Sequence, residues 1–204
     1  MYARSTTITG RPEAIDECIR FIRDEVQPAI TVMDGCLGLS LVVDRSSGRC
    51  IATSAWETEE SMILAGDTVA PYRTRAGAIL GGEPEVDQWE VALMRRAEPA
   101  GEGACCRISW ARPQDIQVLH ERFRTTVLPQ IENFDGFCSA SMFVDRLDRR
   151  ICATMTFDSS AALDASREPA TALRERAIRD TGVEFLEVAE FELALAHLRV
   201  PELV

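Results

Sequence analysis

The 204-residue sequence contains no lysine; all 22 basic residues are arginine. That absence excludes Schiff-base chemistry and the lysine-dependent phosphate loop. Histidine is scarce as well: there are two, and neither stands at metal-ligand spacing, so a metal cluster is not expected. No apolar run approaches the roughly 18–20 residues that a membrane span needs. The first residues carry no basic-then-apolar leader, and the expectation is a cytoplasmic chain. Positive charge is outweighed, with 33 acidic residues giving a net charge of -11. Such a surface repels phosphate backbones and anionic lipid, so neither nucleic acid nor a membrane is expected as a partner. The seven cysteines show no C-x-x-C spacing. Gly-rich phosphate loops, nucleophile elbows and a Ser/His/Asp order are missing too.

What is present is a repeat. Asp34-Gly35-Cys36-Leu37 returns as Asp135-Gly136-Phe137-Cys138, 101 positions later. The apolar stripe Ile15, Cys18, Ile22, Val26, Ile30 returns as Ile116, Leu119, Phe123, Val127, Ile131. Arg11-Pro12, Pro28 and Trp56-Glu57 return as Arg112-Pro113, Pro129 and Phe157-Asp158. Near the last strand the offset becomes 102, matching Trp89-Glu90 with Phe191-Glu192. Core positions and turn residues kept together at one spacing mark an internal duplication. Most cysteines face an apolar twin (Cys18/Leu119, Cys50/Ile151, Cys152/Ile51), as expected of reduced thiols acting as small hydrophobes.

Each half spells β-α-β-β-α-β. In the first, residues 3–9 are rich in β-branched residues and predict a strand. Pro12 suits the first turn of a helix running to about residue 33, with Pro28 kinking or splitting it. Asp34-Gly35 is a helix stop, and strands at 36–43 and 49–57 flank a hairpin loop. Thr58 stands three residues before Ser61 at the start of a second helical region, 59–65 and 68–80. A fourth strand covers 86–94. The expected organisation is a first repeat over 1–94, a linker over 95–104, a second repeat over 105–195 and a tail over 196–204. A four-stranded sheet with helices on one side leaves its other face bare. Two such sheets packed bare face to bare face would close a barrel within one chain.

The amphipathic first helix, the Gly-opened strand, the hairpin and the aromatic-acidic pair leading into a helix together resemble the antibiotic-biosynthesis monooxygenase-like family of the dimeric α/β-barrel superfamily. The resemblance covers both halves. It implies an α+β fold of two tandem ferredoxin-like repeats forming an intramolecular dimeric α/β barrel, an internal pseudo-dimer with further homodimerisation open to it. It also implies a cofactor-independent monooxygenase of a quinol-like or polycyclic aromatic molecule, without metal or cofactor. The alternative is a non-catalytic small-molecule-binding or stress-associated barrel. The haem-degrading branch of the family uses a first-strand Asn, a helix Trp and a later His. Here those places hold Thr6 and Thr7 (Arg107 and Ile108 in the second half), then Leu64 or Ala165, with no His following.

In this fold the cavity of each half lies between helices and sheet, and twins that disagree in polarity point to it. His120 replaces Ile19 beside the stripe and is the candidate base; the plainer reading is a margin His with its nitrogens in water. Tyr72 replaces Leu173 and could hold a ligand oxygen, or simply pack with its hydroxyl at the edge. Trp110, matched with Thr9 at the common offset, is the candidate aromatic wall for substrate, or else core filling. Arg73/Arg174 and Arg75/Arg176 repeat, which suggests structural ion pairs to the many acids. His120 and Tyr72 fall in different halves, so they share a site only if the two cavities meet.

Overall fold

The structure, a computed structural model, describes residues 1–198 and 200–203. Of the expected tail over 196–204, Arg199 and Val204 lie outside the described residues. The chain forms two compact units: Met1–Glu90 with Glu192–Val200, and Val91–Phe191 with Pro201–Val204.

Unit one begins with β1 (Tyr2–Thr9). Pro12 opens a short 3-10 turn that passes into α1 (Ile15–Phe21), a π segment at Ile22–Val26 and α2 (Gln27–Thr31). Helix thus continues through Pro28. A proline has no N–H for the carbonyl four residues back and its ring crowds that carbonyl. The ladder widens just upstream, where the Gln27 N–H donates to Ile22 O, five residues back. Gly35, at φ 74°, turns the chain into β2 (Cys36–Asp44). A Cβ on Gly35 would sit 2.5 Å from Ser61 Oγ, and its carbonyl accepts from the Glu57 N–H at 2.8 Å. Asp44 Oδ1 accepts from the Ser46 backbone at 2.8 Å, and this closes the hairpin to β3 (Arg49–Trp56). Thr58 accepts from the Ser61 N–H at 3.0 Å and caps α3 (Glu59–Leu64), which is followed by α4 (Gly66–Leu80) and β4 (Glu85–Arg96).

Unit two repeats the plan with β5 (Cys105–Arg112), α5 (Ile116–Arg122), a π segment at Phe123–Val127, α6 (Leu128–Ile131), β6 (Phe137–Asp145), β7 (Arg150–Phe157), α7 (Ser160–Ala165), α8 (Arg167–Thr181) and β8 (Glu184–Leu198). Asp115 caps α5 by accepting from the Gln117 and Val118 N–H groups. The Leu128 N–H donates to Phe123 O in the same five-residue reach, again just before a proline. The eight strands pair in the closed-barrel order β1-β3-β2-β8-β5-β7-β6-β4. The fold is therefore the expected α+β barrel of tandem ferredoxin-like repeats. Among the described residues no helix is long and apolar enough to cross a membrane.

Each unit has a core between its helices and its sheet. In unit one Ile15, Cys18, Ile22, Val26 and Ile30 pack on Leu39, Leu41, Val43 and Cys50. In unit two Leu119, Phe123 and Ile131 pack on Ala140, Met142, Val144 and Ile151. All seven cysteines are free, and five are buried. Strand register changes one twin assignment. Tyr2 pairs with Trp56, and Cys105 pairs with Phe157, the twin of Trp56. The first strands are therefore offset by 103, because unit two has two residues fewer between strand and helix. Trp110 corresponds to Thr7 rather than Thr9, and Arg107 corresponds to Arg4.

Candidate functional site

Unit one holds a cavity between its helices and the β1-β3-β2 face. Its volume is about 50 Å³, and its mouth is open to solvent. Its body is apolar: Ile22, Val26, Leu39, Leu41, Ala52 and Val69 contribute to the wall. The polar side chains that line it are Arg4, Arg73, Tyr72, Ser54 and Thr6, together with the thiols of Cys18 and Cys50. Neither a carboxylate nor a histidine is among the lining residues.

The two arginines define one end. Arg4 is delivered by β1, opposite Ser54 of β3 and Gln88 of β4. It is only 6% exposed, and its Nη1 has no hydrogen-bond partner. Burial, and secondarily the charge of Arg73, hold its pKa below the usual arginine value. Arg73 comes from α4, donates from Nη2 to Gly66 O at 3.1 Å, and likewise leaves a buried Nη1 without a partner. A Cβ at Gly66 would lie 3.7 Å from Arg4 Nη2, so the helix backbone closely approaches the guanidinium. Tyr72 stands one residue before Arg73, half-buried, with its ring 6.4 Å from that of Phe21. Cys18 and Cys50 face each other across helix and sheet. Their mutual hydrogen bond, followed by burial, pushes the Cys50 thiol up, so it stays neutral.

Unit two carries the corresponding arginines and settles the first-strand one internally, while Arg174, the twin of Arg73, keeps a buried Nη1 without a partner. Arg107 is 1% exposed and donates to Glu190 Oε1 from Nε at 3.0 Å and from Nη2 at 2.7 Å. It also donates to Ser166 Oγ at 2.8 Å and Leu163 O at 2.9 Å. Arg167 reaches the same carboxylate. The hydrogen bond from Arg167, then those from Arg107, hold the Glu190 carboxyl below the usual range. In unit one the positions of Glu190 and Arg167 are taken by Gln88 and Gly66. Larger side chains also stand where unit one is hollow: Leu119 for Cys18, Phe123 for Ile22, Ile151 for Cys50 and Met155 for Ser54.

Of the residues singled out from the sequence, Tyr72 lines the unit-one cavity. His120 lies half-buried on α5 and Trp110 on β5, both in unit two, where the Trp110 ring meets Phe191 edge-on at 6.4 Å. Arg75 pairs with Glu25, as a structural cation would, and its guanidinium lies over the Phe21 ring. Arg73 and Arg174 depart from the ion pairs expected of them: among the described residues neither has a carboxylate within salt-bridge distance. Arg4 escaped the sequence reading altogether. Its signal was the Arg4/Arg107 identity, concealed by the change of offset in the first strand. Among the described residues no group of three or more His, Cys, Asp or Glu could hold a metal ion.

No family model matches the sequence. A relative does: uncharacterized protein Rv2557 of Mycobacterium tuberculosis is 52% identical over 206 residues, spanning 100% of this chain and 92% of its own length. The chain belongs to that protein's family. Solved structures share the fold at low identity. A candidate monooxygenase from Lactobacillus acidophilus aligns over 97% of this chain and 96% of its own with a TM-score of 0.71 and 10% identity. An anthrone oxidase-like protein aligns over 99% and 94% with a TM-score of 0.68 and 13% identity. The fold is that of the antibiotic-biosynthesis monooxygenase-like proteins.

Proposed function

We propose that the unit-one cavity is a substrate site, and that the protein is a cofactor-independent monooxygenase of a small, mainly apolar quinol-like molecule. The observation that carries this reading is an apolar chamber with a few convergent polar groups, on a monooxygenase-like fold. A volume of about 50 Å³ is smaller than the roughly 150 Å³ cavity that encloses one benzene, so a single-ring ligand must lie partly in the open mouth and a fused polycycle does not fit. Quinol-like substrates reduce dioxygen with their own electrons once deprotonated, so the protein must bind, orient and shield them. Tyr72 is the side chain assigned to hold a ligand oxygen. The reading requires neither His120 nor Trp110, which belong to unit two.

Oxygen uptake with a panel of single-ring quinols tests it. Uptake that is lost when Ala52→Phe fills the chamber supports the assignment. Uptake unchanged by that variant places the chemistry elsewhere. One observation favours a second reading, binding without turnover: neither a carboxylate nor a histidine lines the cavity to accept a proton. Ligand binding that Ala52→Phe abolishes, with no oxygen consumed by the wild type, would establish that reading instead.

A further inference from the structure

The guanidiniums of Arg4 and Arg73 pose a problem that the apolar cavity does not explain. Burying a cation is costly unless it is paired. Arg4 is nine-tenths buried, yet its Nη1 has no partner, and the charge that bears on it is that of a second cation, Arg73. Five N–H donors on a planar fork suit an oxyanion held by two bonds. The second unit shows what satisfies the first-strand arginine, while Arg174 there keeps a buried Nη1 without a partner. There Glu190 accepts from Arg107 and Arg167, and its charge opposes the effect of burial on Arg174. Unit one replaces that carboxylate by neutral Gln88 and the third arginine by Gly66, while the buried Arg4 and the half-buried Arg73 are kept. The anion that unit two supplies from its own chain is absent from unit one, where a chamber opens beside the two cations instead.

We propose that Arg4 and Arg73 form the oxyanion-holding end of the unit-one cavity. Its ligand is a small apolar molecule bearing one anionic oxygen group, a carboxylate or a phenolate, whose body lies along Ile22, Leu41 and Val69. Glu190 is the built-in counterpart of that ligand in unit two. The inference rests on the cavity being a ligand site and names the chemical class it takes. For a quinol-like substrate, the cations would favour uptake of the phenolate already ionised in water, its proton left in the solvent, in a chamber lined by no carboxylate or histidine.

Calorimetric titration with benzoate, 4-nitrophenolate and the neutral isostere benzamide tests it on the full chain. Benzoate is expected to bind about tenfold or more tightly than benzamide, since charge-assisted bonds are roughly twice as strong as neutral ones. Arg4→Met and Arg73→Met should each abolish that preference. Gln88→Glu, which installs the carboxylate of unit two, should abolish benzoate binding while raising the melting temperature, so that the loss is not unfolding. Retention of 4-nitrophenolate binding alongside benzoate supports a general oxyanion end; benzoate alone supports a carboxylate end. Equal binding of benzoate and benzamide, or benzoate binding that survives Gln88→Glu, overturns the anion assignment and leaves the cavity reading standing. Benzoate binding that survives Ala52→Phe overturns the cavity itself as its site.

Discussion

Arg107 donates to Glu190 Oε1 from two nitrogens, Nε at 3.0 Å and Nη2 at 2.7 Å. The guanidinium is fully enclosed while the carboxylate stays partly in water, so the pair is asymmetric: the cation depends on the acid. Glu190→Ala should therefore cost about 3 kcal/mol or more, because it leaves a buried charge uncompensated. Gln88→Ala, at the corresponding exposed position of unit one, should change stability by less than about 0.5 kcal/mol. Urea unfolding of the two variants gives the comparison directly.

The same carboxylate sets an acid limit. The Glu190 pKa is depressed in the folded chain by Arg167 and Arg107, against the opposing effect of burial. A depressed carboxylate contributes stability that is present above its unfolded value, about 4.3, and is lost as pH falls through the lower folded value. Glu190→Gln should therefore flatten the fall in stability below about pH 4.3 relative to wild type. Denaturation midpoints measured from pH 7 to pH 3 would register the difference, and parallel curves would contradict it.

Gly35 and Gly136 have φ angles of 74° and 71° and tight surroundings; a Cβ would meet Ser61 Oγ in one case and Asp158 Oδ1 in the other, both at 2.5 Å. Gly103 shares the positive φ, at 83°, but has nothing within 4 Å. The three alanine variants separate strain from collision. Gly103→Ala should cost about 1 kcal/mol from the backbone alone, and Gly35→Ala and Gly136→Ala should each cost more. Equal losses at all three sites would show that the contacts yield freely.

Unit two places Ile151 where unit one has Cys50, a residue lining the cavity. Cys50→Ile should occupy part of the chamber and raise stability by about 1 kcal/mol, the order expected for burying one or two added carbons. The urea midpoint should rise with an unchanged m-value. A fall would mean that the hydrogen-bonded Cys18–Cys50 pair matters more than the space beside it.

Much of the fold could be read from the chain because the duplication repeats turns as well as core. Asp34-Gly35 and Asp135-Gly136 mark helix-to-strand turns in both units, and Thr58 caps the helix it was expected to start. Tyr72 was visible because its twin, Leu173, is apolar. The arginine end was hidden for two physical reasons. A strand of alternating Thr, Ser and Ile tolerates a two-residue shift without an obvious penalty, so the first-strand twins were matched at the wrong offset. An arginine on a strand also looks solvent-facing until a helix such as α4 is laid over it. Arg73 and Arg174, being identical, suggested a shared structural role; the decisive difference lay in their surroundings, at Gln88 and Glu190, far away in sequence.

The π segments give the apolar stripe its phase. Cys18, Ile22, Val26 and Ile30 recur at four-residue steps and all are buried. In a regular α-helix each such step overshoots by about 40°, so three steps would fan the row across about 120° and carry Ile30 off the sheet. One extra residue taken up in a wider turn winds the helix back by about 100°. The wide turn before each proline thus acts as a phase correction that lets one long amphipathic helix keep facing one sheet. Removing a single residue within 22–26 would leave its first half seated and rotate its last turn toward solvent.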